Sequence, residues 1–173
     1  KGPAFVVESF QEAEKIFQKD DLDITPDHVI VLRNQGPIGG PGMPETAGEI
    51  SLPAPLLKKG VRDIVRISDG RMSGSTFGTI VGHVCPESVV GGPLAVVQDG
   101  DMIELDVANR TLNICISDEE LDRRLSNLKL KKQEYNNGYM ALFMQEVEQA
   151  TYGCDFKFLK GLRNQTYSDQ YGD

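Results

Sequence analysis

The sequence predicts a single α+β domain in which helices flank a mixed, barrel-like β-sheet. Short runs rich in β-branched residues follow one another closely, separated by turns that contain Gly, Asn or Asp, which is typical of sheets with close hairpins. Segments with apolar residues at helical spacing lie at the periphery of these runs. The 173 residues, 39% of them apolar, suffice for one hydrophobic core. We therefore expect one domain over residues 1–163 and a polar tail at 164–173.

The runs predict seven strands. They cover residues 3–8, 28–33, 62–67, 79–84, 94–97, 102–107 and 111–116. The last three strands are separated by Asp-Gly-Asp at 99–101 and Ala-Asn-Arg at 108–110. Both tripeptides are suitable for the tight turns of β-hairpins, so these strands are expected to form consecutive hairpins.

Two S-x-x-E capping boxes predict helix starts. Ser9 with Glu12 precedes apolar residues at helical spacing, and Ser117 with Glu120 precedes a charged helix that ends at about residue 128. Further helices are predicted at 53–59 and 138–150.

Composition narrows the class of protein. The net charge of −8 argues against a nucleic-acid partner, because phosphate backbones are bound by surfaces rich in Lys and Arg. No apolar run approaches the roughly 20 residues of a membrane-spanning helix, and the N-terminal KGPAFVVESF lacks the apolar stretch of a signal peptide. Because the chain has no initiator Met, we expect it to be a fragment of a longer protein.

The cysteines predict reduced thiols. Cys85, Cys115 and Cys154 are about 30 to 40 residues apart, whereas zinc and iron–sulfur sites usually show close ligand pairs. Their odd number argues against a disulfide framework, and we expect a cytoplasmic protein. With only two histidines, a histidine-rich metal site is excluded.

The first candidate site is the segment GPIGGPGMPE at residues 36–45. Glycines allow a backbone to approach a ligand closely, and prolines stiffen the segment. It is not a phosphate-binding P-loop, because no Gly-Lys-Ser/Thr follows. Glu45 at its end is a candidate oxygen ligand for Mg²⁺, and the alternative is a solvated surface turn.

The second candidate site is DGRMSGSTFG at residues 69–78, between two predicted strands. Ser73 could face a cleft, but position −2 is Arg71 rather than the Gly of G-x-S-x-G, which argues against a serine hydrolase. Arg71 could hold a substrate carboxylate, or it could form a structural salt bridge with Asp69 or Glu45. Spacing alone does not choose between Ser73 and Ser75, which are two residues apart.

Both segments resemble the dihydroxy-acid dehydratase and phosphogluconate dehydratase family. The similarity includes GPIGGPGMPE, the long block VRDIVRISDGRMSGSTFGTIVGHVCPESVVGGPLAVVQDGDMIELDVANRTL and the late GCDFKFLKG, in the order and spacing of the family's C-terminal domain. The resemblance implies a β-barrel-like domain flanked by helices, similar to the swivelling domain of aconitase. It also implies an activity, the removal of water from 2,3-dihydroxy acids to give 2-keto acids.

The resemblance implies roles for individual residues. Glu45 in PGMPE matches the family's Mg²⁺ ligand from this domain, and Ser73 in RMSG matches the serine that takes the C2 proton as an alkoxide. A nearby dication would stabilise that alkoxide. The iron–sulfur cluster, which acts on the C3 hydroxyl, is expected to have its ligands in an N-terminal domain absent from this chain, together with most Mg²⁺ ligands. The implied partners are that domain and, in the full-length protein, further copies in a homo-oligomer.

The substrate is expected to be a sugar acid. PGMPE, KKGVRDIVRIS, RMSG and GCDFKFL resemble the aldonate dehydratases of the family, whereas Asp69-Gly70 and Gly82 are closer to the branched-chain amino-acid enzyme. Dihydroxy-acid dehydratase activity therefore remains an alternative. A binding or regulatory module that kept the fold without catalysis is another, although the presence of both Glu45 and Ser73 favours an enzyme.

Overall fold

The structure is a computed structural model and describes residues 1–45, 50–130 and 135–162. The strands in these ranges are β1 (Gly2–Val7), β2 (Val29–Leu32), β3 (Val65–Ser68), β4 (Ile80–Val81), β5 (Met102–Asp106) and β6 (Thr111–Ile114). The α-helices there are α1 (Phe10–Phe17), α2 (Ala54–Lys58), α3 (Asp118–Asn127) and α4 (Gly138–Glu146). Short 3₁₀ helices lie at Ser88–Val90, Pro93–Val96, Ala150–Tyr152 and Lys157–Leu162.

These strands form one mixed sheet in the order β4-β3-β2-β1-β5-β6. Neighbours from β1 to β4 are parallel, whereas β5 runs antiparallel to both β1 and β6. Within the described ranges β4 and β6 are the edges, so the sheet is a half-barrel. The predicted α+β class and mixed, barrel-like sheet are confirmed, and the likeness to the aconitase swivelling domain stays a prediction.

Two apolar clusters lie on opposite faces of the sheet. β2 is buried along its whole length, and successive side chains of a strand point to opposite faces. Ile30 and Leu32 therefore pack with apolar residues of α1 and α2, whereas Val29 and Val31 pack in the other cluster. That second cluster draws apolar residues from each of these strands together with Leu94, so it fills the inside of the half-barrel.

The predicted helix starts are confirmed. Ser9 Oγ accepts a hydrogen bond from Glu12 N at 3.1 Å, and Ser117 Oγ accepts one from Glu120 N at 3.2 Å, as N-caps do.

Arg124 attaches α3 to the sheet, because its guanidinium donates hydrogen bonds to the carboxylate of Asp101, the residue that directly precedes β5. No helix in the described ranges is long and apolar enough to cross a membrane.

Several predicted elements are wrong or too long. Residues 94–97 are predicted as a strand, but Pro93–Val96 is a 3₁₀ helix, because Pro93 favours a helical first turn and has no N–H for a strand ladder. The turn at 99–101 therefore leads from this helix into β5 instead of closing a hairpin, whereas the turn at 108–110 joins β5 to β6 as predicted.

Two further elements are shorter than predicted. The strand predicted at 79–84 is reduced to Ile80–Val81. The helix predicted at 138–150 ends at Glu146, because Val147 forms an antiparallel bridge with Phe156. The tail predicted at 164–173 lies outside the described residues.

Candidate functional site

Both candidate segments leave the same edge of the sheet. β2 and β3 are parallel neighbours, and their last residues, Leu32 and Ser68, are paired. The glycine-rich loop (residues 34–45) follows β2, and the serine loop (residues 69–78) follows β3. Carboxyl ends of neighbouring parallel strands are adjacent, and ligands commonly bind there in sheets with parallel strands. The fold thus brings together two segments that are remote in sequence.

A buried carboxylate ties the two loops together. Asp69, at the start of the serine loop, is 0% exposed. It accepts hydrogen bonds from Asn34 N at 3.1 Å and Gln35 N at 2.8 Å, and from Ser88 N at 2.8 Å. Each backbone donor left without an acceptor would cost about 1–3 kcal/mol, so Asp69 is a structural tie. The sequence allowed a salt bridge between Asp69 and Arg71, but the carboxylate of Asp69 serves these backbone donors.

A second buried carboxylate holds the glycine-rich loop. Glu87 is 1% exposed, and its Oε2 accepts from Ile38 N at 3.0 Å and Gly39 N at 2.8 Å. Burial raises the pKa of Glu87 above its ordinary value, although hydrogen bonds from Gly39, Gln149 and Ile38 oppose the rise. The loop is therefore fixed at two points, by Asp69 at its start and by Glu87 at its first turn.

Arg71 links the serine loop to the acidic end of the glycine-rich loop. Its Nη2 lies 3.2 Å from Glu45 Oε1, and its Nε donates to Met43 O at 2.6 Å. The Arg71 and Glu45 side chains are 45% and 37% exposed, and ion pairs in such contact with water stabilise a protein by only about 0–1 kcal/mol. The pair can therefore open at small cost to engage a ligand. The salt bridge between Arg71 and Glu45, one of the alternatives open from sequence, is present.

Ser73 lies in a turn of the serine loop. Thr76 N donates to Ser73 O at 3.1 Å, and this turn brings Ser73 Oγ within 2.9 Å of Ser75 Oγ. Ser75 N also donates to Ser73 Oγ at 3.3 Å. The turn therefore places the two hydroxyls on the same side of the loop. Ser73 is half-buried and Ser75 is exposed.

The far end of the serine loop is also held. The guanidinium of Arg66, in β3, donates to Phe77 O at 2.6 Å and to Ile50 O at 3.1 Å. Burial lowers the pKa of Arg66, and the Asp63 carboxylate opposes this shift. Asp63 also accepts from Thr79 N and Thr79 Oγ1, the latter at 2.7 Å. Both ends of the serine loop are thus anchored, while the turn between them faces water.

The ligand types in these loops suit part of a magnesium site. Glu45 offers a carboxylate and Ser73 a hydroxyl, which are hard oxygen ligands of the kind that Mg²⁺ prefers. Among the described residues, no group of three or more His, Cys, Asp and Glu could hold a metal ion. The donors seen here would therefore need ligands from outside the described residues to complete a site. Cys85, Cys115 and Cys154 form no such group either, and they do not fit an iron–sulfur cluster.

Comparison with known proteins places the chain in a family. The sequence model of the family described as "Dihydroxy-acid/6-phosphogluconate dehydratase C-terminal" matches residues 1–154. The chain belongs to this family, and the resemblance seen in its sequence is confirmed.

Individual relatives are dehydratases of small acids. The chain is 48% identical over 159 residues to 6-deoxy-6-sulfo-D-gluconate dehydratase of Pseudomonas putida and 51% identical over 163 residues to L-arabinonate dehydratase of Rhizobium leguminosarum bv. trifolii. It is 40% identical over 154 residues to dihydroxy-acid dehydratase of Sulfolobus acidocaldarius. These alignments cover 92%, 94% and 89% of the chain but 27%, 28% and 27% of the relatives. The chain thus spans little more than a quarter of the length of these curated relatives.

The sequence pattern identifies the candidate residues in the two loops but not the residues that hold those loops in place. Glu45, Arg71 and Ser73 stand in conspicuous loops, and the structure brings the first two into contact. Glu87 and Gln149, 62 residues apart, are not singled out by any spacing rule. A weak signal exists, because Glu87 is the one charged residue in the run GHVCPESVVGG, and such a residue is either exposed or specifically paired.

Proposed function

We propose that this chain is the C-terminal part of a hydro-lyase that removes water from a 2,3-dihydroxy sugar acid to give a 2-keto acid. The observation that carries the proposal is the contact between the two candidate loops. Arg71 forms an ion pair with Glu45 and lies two residues before Ser73 in the serine loop. Membership of the dehydratase family supports the reaction class.

Ser73 is proposed as the base at C2. Once deprotonated, Ser73 Oγ takes the C2 proton, the C3 hydroxyl leaves as hydroxide, and the resulting enol tautomerises to the 2-keto acid. The proton on Ser73 then passes to the hydroxide, so that the products are the keto acid and one water and the serine is regenerated. A serine hydroxyl is a weak base unless its proton is lost first. The half-buried position of Ser73 in a turn anchored at both ends would keep its Oγ oriented towards a substrate.

Glu45 is proposed as a Mg²⁺ ligand and Arg71 as the group that binds the substrate carboxylate. The dication and an iron–sulfur cluster, when bound, would supply Lewis-acid chemistry that lowers the pKa of nearby oxygen acids. Arg71 presents a planar fork of donors, which suits a carboxylate in two-point contact. Its exposed, weak ion pair with Glu45 can be exchanged for such a substrate group.

The rest of the site is proposed to lie outside this chain. The curated relatives are more than three times as long as the aligned part, and their additional residues could supply cluster cysteines and the remaining Mg²⁺ ligands. We propose that the full-length protein is a cytoplasmic homo-oligomer in which this domain packs against an N-terminal domain.

A sugar acid is the proposed substrate class. Two relatives named for sugar acids share 48% and 51% identity with the chain, whereas the relative named dihydroxy-acid dehydratase from Sulfolobus acidocaldarius shares 40%. The family phrases PGMPE and RMSG point the same way.

The test is a substrate panel with the full-length protein. 2-Keto-acid formation is measured with L-arabinonate, other pentonates and hexonates, 6-deoxy-6-sulfo-D-gluconate and 2,3-dihydroxy-isovalerate. We expect the highest kcat/KM with one of the sugar acids. Faster turnover of 2,3-dihydroxy-isovalerate would reverse the substrate assignment, and no keto acid from any of them would indicate a non-catalytic module.

A further inference from the structure

A closed loop near the end of the described chain presents Gln149 to Glu87. Val147 bridges Phe156, and Glu148 N donates to Asp155 O at 2.8 Å, so residues 147–156 return on themselves. Gln149 O accepts from Tyr152 N at 2.8 Å, which fixes the backbone at Gln149. This segment is remote in sequence from the glycine-rich loop, yet it reaches the carboxylate that holds it.

The amide of Gln149 matches Glu87 at two points. Gln149 Nε2 donates to Glu87 Oε1 at 2.6 Å, and Gln149 Oε1 accepts from Glu87 N at 2.9 Å. Only this orientation of the amide pairs both of its ends with an opposite partner. Glu87 Oε1 therefore accepts from Gln149 and also from Ile38 N at 3.0 Å, while Oε2 accepts from Ile38 N and Gly39 N of the glycine-rich loop.

The glycine-rich loop is packed tightly on the carboxylate of Glu87. A Cβ atom at Gly36 would lie 2.5 Å from Glu87 Oε2, so a side chain at that position would displace the carboxylate. From Glu87 a short series of contacts leads to the acidic end of the loop: Gly40 N donates to Gly36 O at 2.8 Å and Met43 N to Gly40 O at 2.7 Å. Met43 O is in turn held by Arg71, the residue paired with Glu45.

We propose that Glu87, held in place by Gln149, is a positioning residue that sets where Glu45 and Arg71 stand in the active site. The inference rests on the function proposed above. Glu87 is buried and acts through the loop backbone rather than by contact with substrate. Its role predicts that a change at position 149 affects the acidic end of the glycine-rich loop, although Gln149 contacts neither Glu45 nor Arg71 by any described hydrogen bond.

The chemistry of the pair gives a test by exchange. In Glu87→Gln, the new amide nitrogen faces either the amide nitrogen of Gln149 or the loop N–H groups, and rotating the Gln149 amide only moves the conflict to the N–H of residue 87. In Gln149→Glu, two carboxylates face each other. In the double variant Glu87→Gln/Gln149→Glu, the amide nitrogen at 87 donates to the carboxylate at 149, which also accepts from the N–H of residue 87. The amide oxygen at 87 takes the place of Oε2 and accepts from Ile38 N and Gly39 N, so that Ile38 N loses only the second of its two acceptors.

Two measurements are made on the full-length protein. Hydrogen exchange of the backbone amides of Ile38 and Gly39 reports how firmly Glu87 holds the glycine-rich loop. The rate of 2-keto-acid formation reports how the position of this loop affects catalysis. We expect Glu87→Gln to lose protection at both amides and to lower kcat/KM about 10- to 100-fold, the range for slightly misplaced catalytic groups. The double variant should regain protection and return to within about threefold of wild type, since coupled contacts are not additive. Glu14→Gln, the same change on the exposed face of α1, should alter neither.

Each outcome decides a separate point. Unchanged protection at Ile38 and Gly39 in Glu87→Gln would overturn the hold on the loop. Lost protection with wild-type kinetics would overturn the positioning role, and so would failure of the double variant to recover. A wild-type protein inactive on every dihydroxy acid would refute the proposed function instead, while the exchange data would still decide whether Glu87 holds the loop.

Discussion

Replacing Ser73 by alanine in the full-length protein tests the proposed base directly. The structure allows the cost to folding to be worked out, because the lost contacts are few. Ser73 Oγ shares a hydrogen bond with Ser75 Oγ at 2.9 Å and accepts one from Ser75 N at 3.3 Å, on a loop that water reaches. Loss of such a contact costs about 1 kcal/mol, which is small beside the 5–15 kcal/mol that typically separates folded from unfolded protein.

The expected loss of activity is larger. Removal of a general base lowers kcat by at least about 10²-fold, which corresponds to about 2.7 kcal/mol of transition-state stabilisation. KM should change little, because in the proposed site Arg71 and Mg²⁺, not Ser73, would bind the substrate. The assay is steady-state formation of 2-keto acid from the best substrate of the panel, with thermal unfolding of each variant measured in parallel to exclude loss of the fold.

Ser75→Ala is the matched control. Both variants lose the same hydrogen bond between the two hydroxyls, so the difference between them isolates what the Ser73 hydroxyl does beyond this contact. We expect Ser75→Ala to lose far less activity, in line with the loss of a single hydrogen bond. An inactive Ser75→Ala together with an active Ser73→Ala would show that the base lies two residues further along the chain.

Three further predictions concern the substrate contact, pH and the isolated chain. Arg71→Lys should raise KM about 10-fold while kcat changes less, because lysine cannot make the two-point contact with a carboxylate; an unchanged KM would leave Arg71 as a structural partner of Glu45 alone. The carboxylate of Asp101 accepts hydrogen bonds from Arg124 Nη1 at 2.5 Å and from Arg124 Nη2 at 3.1 Å. Partial burial raises the pKa of Asp101, but the hydrogen bonds from Arg124 outweigh it and leave the pKa below its ordinary value. The ionised carboxylate of Asp101 therefore stabilises the folded protein above its unfolded pKa of about 3.9, and this stabilisation is lost as pH falls through the lower folded pKa. The difference in unfolding free energy between wild type and Asp101→Asn should accordingly shrink below about pH 4. Equal differences at pH 7 and at acidic pH would contradict this reasoning. The 173-residue chain alone should show no dehydratase activity and bind no stoichiometric iron, measured by keto-acid assay and metal analysis, because its cysteines form no close ligand pairs.

Much of the fold could be predicted from local sequence. The capping boxes at Ser9 and Ser117 predict helix starts because the cap hydrogen bond is made within three residues, and both bonds are present. The run at 28–33 predicts β2 because its β-branched residues favour an extended chain buried on both faces. Residues 94–97 show the limit of such patterns, because an apolar run after a proline also satisfies a 3₁₀ turn packed on the core.

The candidate site divides in the same way. Glu45, Arg71 and Ser73 are visible in sequence because they stand in unusual, glycine-bearing loops with recognisable family phrases. The buried carboxylates of Asp69 and Glu87 are not recognised as loop anchors, because their partners are backbone N–H groups, which carry no sequence signature. Only the folded chain shows which N–H groups a carboxylate meets.

The sequence by itself determined the α+β class, the family resemblance and the loop residues that the proposed chemistry uses. Local rules suffice for these, since capping, β-propensity and loop composition depend on neighbours in the chain. Tertiary structure decided the order of strands, the closeness of the two loops and the role of Gln149, which acts on a carboxylate 62 residues away. The two loops meet because parallel strands place their carboxyl ends at one edge, whereas Gln149 reaches Glu87 from the segment that follows α4. No local pattern encodes either arrangement.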